Sequence, residues 1–145
     1  MLASLAAFAG LLMVVYSIYF FNVLKGAPRA FEMQMLKALA HWMIARGPSS
    51  RRLVWLYYLL TIILEFVYFG MVFYLLSNPV IRIFSMFVVS FEILHVLLVG
   101  YNLSRFFGGH IPLKSLLKWP VERASAMLFF THTFLVLINI VFYRV

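Results

Sequence analysis

Apolar residues fall in long runs along this chain, and the runs share a length. Stretches near 3–24, 53–77, 82–103 and 121–143 are almost uninterrupted. Each has the ~20 residues that a helix needs to cross a bilayer's hydrocarbon core. The first carries no charge from Met1 to Leu24. It has no basic leader and is too long for a signal-peptide core, so it reads as an uncleaved anchor. Ser77-Asn78-Pro79, between the second and third runs, is too short for anything but a tight hairpin. The pattern predicts an all-α fold. It is a polytopic membrane protein, a four-transmembrane-helix bundle forming a single membrane domain over 1–145.

The first connection is patterned differently. Over about 30–46, Phe31, Met35, Leu39, Trp42 and Met43 share one helical arc, with Leu36 at its edge. Gln34, Lys37 and His41 lie opposite, and Gly47-Pro48 supplies a stop. This predicts an amphipathic helix lying in the cytoplasmic interface, or an equivalent surface for a partner subunit. Glu32 falls inside the apolar arc and breaks the pattern. The third connection repeats the scheme in small. Gly108-Gly109 interrupts the chain, Lys114 and Lys118 follow one turn apart, and Leu113, Leu116, Leu117 and Trp119 are available to the membrane. On the first run, Ala3-x-x-x-Ala7 and Ala6-x-x-x-Gly10 read as close packing against the other helices, with assembly with another chain as the alternative.

Composition narrows the class. Hydrophobic residues make up 66% and charged residues 11%, whereas a soluble domain is about one-quarter charged. A water-soluble enzyme is excluded, and so is a disordered tail. The absence of cysteine removes thiol nucleophiles, zinc fingers and disulfide scaffolds. Aspartate is also absent, which removes intramembrane aspartyl dyads. The net charge of +8 lies between the apolar runs, so its partner is the anionic cytoplasmic leaflet and not nucleic acid. Only Arg82 and Arg144 fall on the side opposite the first and third connections. The positive-inside rule therefore puts both termini outside, on the non-cytoplasmic face.

Ionisable residues inside the runs suggest chemistry. Counted from the cytoplasmic ends of their spans, Glu65, Glu92, His95 and His132 fall within a slab of ~6 Å near the midplane. A carboxylate there costs several kcal/mol unless it is paired, protonated or wet. Ser85, Glu92, His95 and Asn102 share one face of the third run, and Ser125, His132 and Asn139 repeat along the fourth. Tyr58, Thr61, Glu65 and Tyr68 stripe the second. The stripes predict one polar core at one depth.

Four uses of that core stay open. Glu65, Glu92, His95 and His132 are candidate ligands for a divalent transition metal, with Glu92-x-x-His95 as the helical pairing of di-metal bundles. His95 and His132 are candidate axial ligands for haem b. Glu65 and Glu92, tuned by the histidines, are candidates for a proton or cation relay. The same residues could also serve only to pair helices. His41 and His110 lie in the connections and read as solvated. Glu65-Phe-Val-Tyr-Phe-Gly70 and His95-Val-Leu-Leu-Val-Gly100 faintly resemble, over about a dozen generic positions, two helices of haem-copper oxidase subunit III. No residue role is carried over from that resemblance.

The functional expectation is a small integral subunit of a larger redox or energy-converting complex, whose midplane site binds haem or a metal ion. A proton- or cation-coupled transporter or channel protomer is the alternative, and four spans would then imply a homo-oligomer. The third reading is an accessory or assembly subunit. The expected partners are membrane lipids and other membrane subunits or copies of the chain. No reaction is legible.

Overall fold

The computed structural model describes residues 1–142, which are predominantly helical and contain no strand. The chain folds as α1 (Leu2–Leu24), α2 (Pro28–Arg46), α3 (Ser50–Leu75), α4 (Pro79–Phe107) and α5 (Trp119–Phe142). Short 3-10 turns at Gly47–Ser49 and Leu113–Ser115 complete it. Four helices, α1, α3, α4 and α5, are long and apolar enough to cross a membrane. The predicted runs match them closely. The main departure is α4, whose 29 residues extend past the expected end at Leu103 to Phe107.

Local chemistry explains the joints. The α3–α4 turn ends on Pro79, whose missing N–H suits the first position of a helix. Asn78 caps it, its Oδ1 accepting from the backbone N–H of Val80 at 3.0 Å and of Ile81 at 3.4 Å. Arg82 then reaches back over the end of α3. Its Nε donates to the Leu76 carbonyl at 2.9 Å and its Nη2 to that of Phe73 at 3.1 Å. A cation placed there satisfies carbonyls that the helix end leaves open. Gly47, at φ 59°, turns the chain from α2 into α3 through a conformation that a side chain would strain.

The four long helices close a ring in which α1 touches α3 and α5, and α4 touches α3 and α5. Leu5 and Ala9 of α1, Tyr68 and Val72 of α3, Val88 of α4 and Phe129 and Val136 of α5 are fully buried in the shared core. Tyr16 stacks on Phe129 at 4.8 Å. Large apolar side chains remain on the outside, among them Val14, Ile63, Phe66 and Leu94. On α1, Leu5 and Ala9 face inward, while Ala3 and Ala7 are exposed. The Ala3–Ala7 pair therefore does not pack against the other helices of this chain.

The α2 arc is present but rotated. Leu36, expected at its edge, is buried at its centre together with Glu32, while Lys37 and His41 are exposed. Glu32 is the reason. Its carboxylate accepts from Arg123 Nε at 2.6 Å, Arg123 Nη2 at 2.9 Å and the Tyr19 hydroxyl at 2.7 Å. One acid thereby ties α2 to α1 and α5. The Arg123 guanidinium, aided by Tyr19, holds the Glu32 carboxyl below the usual carboxylate range against the opposing effect of burial.

Candidate proton-relay site

Two histidines face the bundle interior, and each is bonded through both ring nitrogens. His132, fully buried on α5, has the Tyr68 hydroxyl 2.9 Å from Nδ1 and Ser85 Oγ 2.7 Å from Nε2. Ser85 spends its single proton on the Ile81 carbonyl at 2.7 Å, so Nε2 must donate to Ser85. Nδ1 then accepts from Tyr68. This neutral tautomer satisfies every donor and acceptor in the set. The Phe69 and Phe84 rings complete the surroundings, with centroids 5.2 and 5.7 Å from the imidazole. His132 is a saturated core histidine.

His95 has different company. Its Nδ1 lies 2.8 Å from Glu92 Oε2, one turn back on α4, and its Nε2 lies 3.1 Å from Glu122 Oε1 on α5. Ionised carboxylates only accept, and a neutral imidazole has a single N–H. The chain is therefore completely bonded in any of three states. The ring carries both protons, or it carries one while Glu92 or Glu122 carries the other. Moving between these states passes a proton from Glu122 through the ring to Glu92 and breaks no heavy-atom contact.

The chain ends at a cavity. Glu92 is 4% exposed, yet its Oε1 has no hydrogen-bond partner among the described residues. It lines a pocket of about 310 Å³ between α3 and α4, shared with Glu65, Phe66, Phe69, Gly70 and Phe73. Glu65 makes no side-chain hydrogen bond among the described residues. Beside the cavity, the Tyr58 hydroxyl donates to the Val96 carbonyl at 2.8 Å and fixes α3 against α4.

Register decides which expected residues meet. The pairs His95–Glu122 and Ser85–His132 follow one antiparallel register between α4 and α5. They lie ten residues apart on each helix, about 15 Å of helical rise. His95 and His132 therefore occupy different levels. Glu65 and Glu92 share the cavity, and Glu92 pairs with His95, but His132 joins none of them. Ligand bonds to one metal are ~2 Å, so one iron or metal ion cannot take both imidazoles in this fold. Among the described residues, no group of three or more such side chains is arranged to hold a metal ion. The donor set does not fit a haem or metal bridging His95 and His132.

Glu122 is the member the stripes did not reveal. It precedes Ser125 by three residues and His132 by ten, so it lies on the polar face of α5. It lies at the very start of the run near 121–143, far from the expected midplane level, so it fell outside the residues expected at that depth. Comparison with known protein families, curated proteins and solved structures finds no match to this chain.

Proposed function

We propose that this protein is a multi-pass membrane protein that passes protons between the basic end of its bundle and a cavity inside the bilayer. The observation that carries this reading is the continuous Glu122–His95–Glu92 chain, ending on an unpaired buried oxygen. Structural pairing alone would favour groups whose bonds are complete, as those of His132 are. The Glu92 carboxylate is buried and incomplete, an arrangement that is costly in lipid unless a proton or cation visits it.

Orientation follows from charge. Glu122 lies at the end where α5 begins, near Lys114, Lys118 and Arg123. The positive-inside rule makes that end cytoplasmic. α2, tied down through Glu32, then lies at the cytoplasmic interface. The cavity continues the path, its lining running along α3 from Ile62 to Phe73, two residues short of the end of that helix at Leu75. A proton arriving at Glu92 is handed on through it towards the opposite face. The exposed apolar faces of the long helices leave room for lipid and for a further subunit or a second copy.

The test is proton flux into liposomes holding the purified protein, driven by a potassium diffusion potential and read with a trapped pH dye. Wild-type protein is expected to acidify the lumen, and Glu92→Gln to fall to the level of empty liposomes. Equal flux from the folded Glu92→Gln variant contradicts the reading.

A further inference from the structure

The cavity on which the relay ends has the chemistry of a binding site. Its walls are apolar and aromatic, with Phe66, Phe69 and Phe73 on the α3 side. Two carboxyl groups, Glu65 and Glu92, are set into those walls, and the buried Oε1 of Glu92 is unpaired. Phe66 is 81% exposed and Leu97, also on the wall, 62%. The mouth therefore lies on the apolar outer surface of the bundle, where ligands come from the bilayer. Aromatic faces attract cations, most strongly where water is excluded. Two carboxylates facing one apolar space repel each other until a positive charge stands between them.

We propose that this cavity binds a lipophilic organic monocation, an ammonium head on a compact apolar body, in exchange for a proton. The head lies between Glu65 and Glu92, and the body lies along the phenylalanines. One cation enters and one proton leaves the carboxyl pair, so the charge of the cavity is unchanged. The release route for that proton, through His95 to Glu122, rests on the proton-path reading above. The binding itself does not. Gly70 lines the cavity, and a Cβ built on it meets nothing within 4 Å. A larger side chain there would project into space without displacing backbone.

Benzyltrimethylammonium, which cannot itself titrate, is the probe. Equilibrium dialysis against the full chain in a neutral detergent is expected to show saturable binding that strengthens as pH rises. A weakly buffered sample should release up to one proton per cation bound. Glu65→Gln and Glu92→Gln should each weaken binding about ten-fold or more. Gly70→Leu should abolish it, with helicity by circular dichroism unchanged, which covers the case in which a glutamate variant fails to fold. Neopentylbenzene, the neutral isostere, should not compete. Equal competition by neopentylbenzene, undiminished binding to folded Gly70→Leu, or no saturable binding would overturn the proposal. Absent binding with intact proton flux rejects the cation site and leaves the relay. Binding without flux rejects the relay and leaves the site.

Discussion

Glu122 reaches across the α4–α5 interface to His95, with Oε1 3.1 Å from Nε2. That contact joins the end of the bundle where α5 starts to an acid inside it, and it carries the first prediction. Glu122→Gln keeps the size of the side chain but offers an amide that cannot pass on a proton. Flux in liposomes should fall to background while the helical spectrum is unchanged. His95→Phe should do the same.

The His132 set should behave in the opposite way. Tyr68→Phe leaves Nδ1 of His132 without its donor in a dry core. The expected cost is ~1 kcal/mol, the scale of an interhelical hydrogen bond in membrane proteins. Thermal unfolding in detergent should show the loss, and proton flux of the folded variant should match wild type. A flux defect as deep as that of His95→Phe would place His132 in the path.

Acid should loosen α2 through Glu32. Arg123 and Tyr19 hold its carboxyl below the ordinary carboxyl value of 4.5. The stability it contributes is therefore fully present above about pH 4.5 and is lost as pH falls from there through the lowered folded value. Limited proteolysis near Gly26 or Gly47 should accelerate over that acid window. Glu32→Gln should be cut faster at neutral pH and lose most of the acid dependence.

Gly100 offers a test of helix spacing beside the cavity. A Cβ there would overlap the Tyr58 hydroxyl, which is already bonded to the Val96 carbonyl. Gly100→Ala should lower thermal stability. Adding Tyr58→Phe removes the atom in the way, so the double variant should be more stable than Gly100→Ala alone. Additive losses would show that α3 and α4 are not held together at this point.

These contrasts also show what the amino-acid pattern could reveal. The positions of the long apolar helices and the Asn78 hairpin were legible because apolar length and turn chemistry are local. The polar faces were legible too, through Ser85, Glu92, His95 and Asn102 on one helix and Ser125, His132 and Asn139 on the other. Their register was not. A stripe that recurs every seven residues presents the same face after a slip of two turns, ~10 Å along the axis. Levels measured from the expected span ends were displaced by about that much. α4 runs on to Phe107, and Leu116, expected to face the membrane, turns inward, where its carbonyl accepts from Asn102 Nδ2 at 3.0 Å. One expected slab became two levels. His95 moved to Glu122, and His132 to Tyr68 and Ser85. Glu32, which looked like a flaw in an amphipathic helix, is the anchor of that helix, and nothing within α2 could name Tyr19 and Arg123 as its partners.

The most direct measurement of the central claim is potential-driven proton flux through liposomes, compared among wild type, Glu122→Gln and Tyr68→Phe at matched protein content. The account predicts flux for wild type and Tyr68→Phe and background for Glu122→Gln. Flux undiminished in folded Glu122→Gln, or wild-type flux no greater than that of empty liposomes, would contradict it.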